Sequence, residues 1–395
     1  AAGCREADDV ALEPPTTPST ATSSTTTSSS TTTTTGRPTV TIPGVEPQPS
    51  EPGAVLWERE LDAGDLPGRA WQVTYRSRSS DGDEVAIGGI VAVPEGEPPP
   101  GGFPVLAWAH GTTGIADRCA PSERGVEGVP RLREHLEAGW AVAATDYEGL
   151  GTPGTHPYLV AESEARSVLD SVRAARELLG ADVVSGRVAV LGHSQGGHAA
   201  LATAERASTW APELELVGTA AIAPVADLEL VLPVLFDSRI GIPLGIYVAA
   251  GWPDAHGELS SADLLSEDGL ALLDDAAQNC LRRFEEAVAA EDADALRIRE
   301  PAELPAWAAR IEENTIDASQ VDGPVLIAQG GRDALVPAPL VDPLVDRLCE
   351  RGEPLRYLRH GVADHESIVG ASMPATHRWL AGLLAGEARD DCDRR

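Results

Sequence analysis

The segment that most constrains this chain is a short β-rich run, Arg187 to Leu191, that ends in Gly192-His193-Ser194-Gln195-Gly196 and passes at once into helix-like His198 to Ala207. A serine at the apex of so tight a strand-to-helix turn leaves no room for side chains on its neighbours, and glycines stand on both sides of it. A strand that feeds a helix directly is half of a βαβ unit, the building block of a parallel sheet wrapped by helices.

That rhythm runs through the chain. Residues 70 to 78 and 84 to 94 read as an antiparallel lead-in pair. Pro104 to His110, Trp140 to Asp146 and Arg187 to His193 read as short strands, each followed by helical periodicity. Val168, Val172, Ala175 and Leu179 fall at helical spacing, with Arg166, Arg173, Arg176 and Glu177 elsewhere on the wheel, so one face is expected to pack on the sheet. The alternation resumes at Leu214 to Ala223, breaks, and returns at Val325 to Gln329 and Leu355 to Leu358. The expectation is an α/β fold with a mostly parallel central sheet flanked by helices and a helical insertion, about 225–322, between two late strands. Leu230 to Gly251 is unusually apolar for a surface segment. Two readings stand together: the insertion's own packing against the body, and a lid lining an acyl channel.

The chemistry follows from position. A serine hydroxyl is a poor nucleophile at neutral pH and needs an adjacent base and a third group that orients the base. On such a sheet the acid follows one late strand and the histidine the next. Val325 to Gln329 leads into Gly330-Gly331-Arg332-Asp333, and Leu355 to Leu358 is followed by Asp364-His365. Ser194, Asp333 and His365 therefore form the expected triad. His360 abuts its strand, Asp364 adjoins His365, and His193 and His198 flank the serine; all four are weaker candidates, the last two as packing residues. An oxyanion needs preorganised N–H donors, one from Gln195 and one from the loop His110-Gly111-Thr112-Thr113-Gly114.

With Cys119-Ala120-Pro121-Ser122, Gly139-Trp140, Asp146-Tyr147-Glu148-Gly149, Gly192 to Gly197, Asp333 and His365 in place, the chain resembles the secretory lipase family, the α/β-hydrolases typified by fungal lipase A, over nearly all of residues 54 to 392. The resemblance implies an α/β-hydrolase fold with a helical cap, hydrolysis of triglycerides and simpler acyl esters, and no metal or organic cofactor. It places the second oxyanion donor at about Thr113. The fungal members carry an acidic residue there, which leaves Thr112 and Thr113 both open. It also implies the bridges Cys119 with Cys280 and Cys349 with Cys392, and leaves Cys4 over from an odd count of five.

Composition bounds the partners. The chain has 395 residues, 62 acidic and 30 basic, every basic one an arginine, for a formal net charge of −32. Such acidity repels phosphate backbones and anionic lipid, so no nucleic acid is expected. No apolar run approaches the roughly 20 residues of a spanning helix. Ala1-Ala2-Gly3-Cys4 has the small-small-Cys character of a bacterial lipoprotein processing site, which makes Cys4 the lipidated residue and the one expected membrane contact. From Thr16 to Thr35 only Pro18 and Ala21 are not Ser or Thr. That composition buries too little apolar area to offset chain ordering, so residues 1–53 are expected to be a disordered tether and 54–395 the hydrolase domain. The expected protein is an extracellular or envelope-anchored carboxylic ester hydrolase acting on an acyl ester or lipid. A peptidase or amidase on the same fold and a non-catalytic envelope binding lipoprotein are the alternatives. No motif bears on the oligomeric state.

Overall fold

The computed structural model describes residues 51–392; the lipidation expected at Cys4 and most of the Ser/Thr-rich tether lie outside them. The chain enters through three antiparallel strands, β1 (Val55–Leu61), β2 (Gly68–Arg78) and β3 (Glu84–Pro94). It then winds through β4 (Phe103–Ala109), α1 (Leu132–Glu137), β5 (Ala141–Thr145), α2 (Ala161–Leu179), β6 (Val184–His193), α3 (Gln195–Trp210) and β7 (Glu215–Ile222). The strands expected at 70–78, 84–94, 104–110, 140–146 and 187–193 form within a few residues of those bounds. Strand β1 was not anticipated: three of its residues, Glu58, Arg59 and Glu60, are charged and exposed, as the solvent side of an edge strand requires.

Among the described residues nine strands make one sheet in the order β1-β2-β3-β5-β4-β6-β7-β8-β9, with β8 (Val325–Gly330) and β9 (Leu355–His360). Pairing is antiparallel through β3 and β5 and parallel from there to β9. All five residues of β5 and all of β4 but Pro104 are buried, because central parallel strands are covered on both faces. Alternation sends successive side chains to opposite layers. Val105, Val188 and Val190 pack under Val168, Val172 and Ala199 of α2 and α3. Leu106, Ala189 and Leu191 pack under Leu136 of α1 and under Ile368 and Met373 near the end of the chain.

Between β7 and β8 the chain inserts α4 (Leu228–Asp237), α5 (Ile242–Ala255), α6 (Glu267–Ala276), α7 (Leu281–Val288), α8 (Ala293–Leu296) and α9 (Pro305–Asn314). The helices α10 (Ala338–Glu350) and α11 (Ser367–Leu384) follow β8 and β9. Asp227 starts α4 by accepting from the Leu230 N–H, and Ser266 starts α6 by accepting from Gly269 N–H at 3.1 Å. The apolar stretch of α4 and α5 is buried: Val231, Leu232, Leu235, Ile246, Val248 and Trp252 are each at most 1% exposed. Burying each such side chain contributes about 2 kcal/mol, which accounts for the composition of this segment. Among the described residues no single helix is long and apolar enough to cross a bilayer.

Candidate active site

The loops that follow β4, β6, β8 and β9 all leave the carboxyl edge of the parallel sheet, where α/β proteins collect their functional groups. Ser194 sits between β6 and α3 with φ +57° and ψ −116°, a conformation that L side chains rarely adopt. It is held there by its own N–H, which donates to the Ile222 carbonyl at 2.9 Å, and by its carbonyl, which accepts from Gly197 N–H at 2.9 Å. The flanking glycines are obligatory. A Cβ at Gly192 would stand 1.8 Å from the Gly196 carbonyl oxygen, and one at Gly196 would stand 1.9 Å from the Ala109 carbonyl oxygen.

His365 Nε2 lies 2.8 Å from Ser194 Oγ, and His365 Nδ1 lies 2.8 Å from Asp333 Oδ2. Asp333 is itself fixed: its Oδ1 accepts from Leu335 N–H at 3.0 Å and Val336 N–H at 2.8 Å, and its Oδ2 accepts from Gln329 Nε2 at 3.3 Å. All three residues are buried. The three groups expected from the order of strands are thus brought together from three different loops. Asp364, His193 and His198 bond to other groups. The Asp364 carboxylate accepts from the Ser367 N–H at 2.8 Å, at the start of α11, and is exposed. His193 is more than packing, because its Nε2–H donates to the His365 carbonyl at 2.8 Å and so anchors the backbone of the neighbouring histidine. Burial, reinforced by the adjacent His365, lowers the His193 imidazole to about 4.

The loop after β4 lies beside the serine: a Cβ on Gly111 would be 3.7 Å from Ser194 Cβ. His110 is buried in this loop, with Nε2 3.2 Å from the Asp146 carbonyl, and burial lowers it to about 4. The Thr112 hydroxyl is paired with the Tyr158 hydroxyl at 2.7 Å, while the Thr113 hydroxyl is buried without a hydrogen-bond partner. Gln195 is the first residue of α3, so its N–H has no partner within the helix. Cys119 is bonded to Cys280 and Cys349 to Cys392, the pairing expected from the family.

Sequence reasoning missed the polar groups behind Gln195. His156, Glu164 and His198 are each at most 1% exposed and are linked by hydrogen bonds. A hydroxyl bonded to an imidazole, itself bonded to a buried carboxylate, can surrender its proton to the ring while the oxygen attacks an acyl carbon. The N-terminus of α3, which begins directly after Ser194, carries the positive end of the helix dipole.

The profile of the secretory lipase family matches residues 129–391. A probable inactive lipase of Mycobacterium tuberculosis is 26% identical over 374 residues, covering 87% of this chain and 81% of that one. A probable trichothecene esterase of Stachybotrys chartarum is 26% identical over 262 residues; the match takes in 63% of this chain but only 52% of the esterase. Among solved structures, the closed state of Candida antarctica lipase A superposes with a TM-score of 0.73 at 19% identity, over 86% of this chain and 84% of the lipase. A rice cell wall degrading esterase from Xanthomonas oryzae gives 0.69 at 21% identity, over 85% and 98%. The architecture is the α/β-hydrolase fold of those lipases and esterases, and the chain belongs to the secretory lipase family.

Proposed function

We propose that this protein is a serine carboxylic ester hydrolase that works through an acyl-enzyme. His365 takes the Ser194 proton as Oγ attacks the ester carbonyl, and Asp333 holds the ring and balances its charge. The oxyanion is met by the Gln195 N–H and by an N–H from the Thr112–Thr113 pair. The protonated imidazole then gives its proton to the leaving alcohol, and water attacks the acyl-serine by the same path in reverse. The observation that carries this reading is the continuous set of hydrogen bonds from Ser194 through His365 to Asp333. In this role the insertion is a cap over the acyl group.

A non-catalytic binding role is the competing reading, favoured by the inactivity ascribed to the Mycobacterium relative. Labelling with a fluorophosphonate separates the two. Stoichiometric modification mapped to Ser194 supports the enzyme, and a folded chain that takes no label contradicts it. Turnover of anilides at rates comparable with esters would favour an amidase.

The two bridges support a place in an oxidising compartment. We place the protein outside the cytoplasm, tethered through lipid on Cys4. Metabolic labelling with an alkynyl fatty acid tests the anchor: the wild type takes the label and Cys4→Ala does not.

A further inference from the structure

Gln195 has two ends. Its backbone N–H is the proposed oxyanion donor, and its side-chain amide is gripped in the interior: Nε2 lies 2.9 Å from His156 Nε2 and 3.0 Å from Glu164 Oε1. The proton pattern around this amide has one consistent solution. His156 Nδ1 donates to the Glu148 carbonyl at 2.8 Å, so its Nε2 is free to accept from Gln195. Burial keeps that ring neutral, lowered to about 3. Glu164 Oε2 accepts from His198 Nδ1 at 2.6 Å, and His198 Nε2 donates to the Asn314 carbonyl at 2.8 Å. Burial opposes charge on His198, yet the Glu164 carboxylate beside it and the Asn314 carbonyl hold the ring above its ordinary range.

Such a cluster is expensive to bury. A carboxylate and an imidazole taken out of water cost several kcal/mol unless every lone pair and proton is matched, and a helix that only needed packing would place small apolar residues here. The cluster also reaches further than the turn. Asn314 is the last residue of α9, and its side-chain oxygen accepts from the Ala161 N–H at 2.8 Å, so the exit of the insertion and the first residue of α2 are fixed to the same set. The Ser194 carbonyl is already held by the Gly197 and His198 N–H groups. The side-chain clamp fixes the other residue of that peptide.

Resting on the ester-hydrolase reading of the site, we infer that Glu164, with His156, is a positioning residue that aims the Gln195 N–H at the oxyanion by clamping the Gln195 side-chain amide. Through His198 and Asn314 the same carboxylate ties this donor to the point where the insertion rejoins the body. The clamp touches no substrate atom; it acts on the transition state only through the peptide that it orients.

The test compares wild type, Gln195→Ala, Glu164→Ala, Glu164→Gln and Ser194→Ala with a p-nitrophenyl ester and an alkyl boronic acid whose serine adduct mimics the tetrahedral intermediate. Gln195→Ala keeps the backbone N–H and removes the gripped amide with the methylene that carries it. The expected result for Gln195→Ala and Glu164→Ala is a loss of kcat of about 10- to 100-fold with little change in KM, and a matching loss of boronate affinity. Glu164→Gln is expected to recover most of the Glu164→Ala loss, because its carbonyl can accept from Gln195 while its amide donates to a neutral His198. If Glu164→Ala does not fold, Gln195→Ala carries the test alone, with circular dichroism as its control. Wild-type kcat and boronate affinity in folded Gln195→Ala overturn the clamp while leaving the ester reading intact. A wild type that hydrolyses no ester, or an active Ser194→Ala, overturns that reading and the clamp with it.

Discussion

Cys280, the residue that precedes α7, is bonded to Cys119 of the segment that follows the Thr112–Thr113 loop. Next to the bridge, Leu281 N–H donates to the Thr113 carbonyl at 2.9 Å, and Gly114 forms a β-bridge with Cys280. The insertion is therefore bonded by backbone to the loop that supplies the second proposed oxyanion donor, and covalently to the segment just after it.

Two bridges with different neighbours are expected to fail differently. The Cys119–Cys280 bridge spans 161 residues and Cys349–Cys392 spans 43. Loop entropy puts their stabilisation at about 5 and about 4 kcal/mol. Opening the first by Cys119→Ala/Cys280→Ala should lower both the unfolding midpoint and kcat. Opening the second by Cys349→Ala/Cys392→Ala should lower the midpoint and leave kcat within about two-fold. Equal loss of kcat in both pairs would contradict a special role for the first.

Ser194→Gly is expected to be more stable than Ser194→Ala by about 1 kcal/mol, a difference of roughly 2 °C in Tm. The reason is the positive φ at this position, which glycine adopts without strain and alanine does not. Matched melting curves decide it. Identical melting of the two variants would show that the turn carries no such strain.

Asp333→Asn should lower kcat by roughly a thousand-fold or more with the fold intact. The two backbone donors on Oδ1, from Leu335 and Val336, will hold the amide oxygen of an asparagine and turn its NH2 group toward His365 Nδ1. The ring is then forced to carry its proton on Nε2, where it cannot accept from Ser194. Retention of most of the kcat would remove Asp333 from the proposed triad.

The buried histidines predict how stability follows pH. Burial lowers His110 and His193 to about 4 and His135 and His156 to about 3, so these rings are neutral when folded and bind protons below about 6.5 when unfolded. The unfolded chain thus takes up more protons, and stability falls as pH drops from 6.5 toward 4. Asp146 opposes this, since burial raises it to about 7 despite its bonds from Ser122, and its contribution is greatest at acid pH and lost as pH rises through 7. Burial also lowers His256 and His377, which adds to the loss, and raises Asp170, Glu205 and Glu285, which together with the His198 ring held up by Glu164 offsets part of it; the rings lowered furthest set the sign, and stability is expected to fall between pH 7 and pH 5. Urea unfolding at the two values checks it; a midpoint that rises at pH 5 would contradict the assignment.

Much of the sheet and all three proposed catalytic groups were legible because each is announced locally, by an apolar run and the turn after it. Strand β1 was not, since an edge strand with Glu58, Arg59 and Glu60 in sequence reads like linker. The clamp on Gln195 was not either. His156 and Glu164 lie 39 and 31 positions before Gln195, and neither belongs to a motif; they meet it only after α2 and α3 pack against each other. His198 reads as packing in the sequence, because a lone histidine in a small-residue helix says nothing of a carboxylate on the helix packed against it.

Ser194 is proposed as the nucleophile of an ester hydrolase. The most direct measurement of that role is hydrolysis of a p-nitrophenyl ester series from acetate to palmitate by wild type and by Ser194→Ala at equal concentrations. A wild type active on at least one member and a variant slower by about a thousand-fold or more are expected. Equal rates in the two proteins, or no turnover of any ester by a folded wild type, would contradict it.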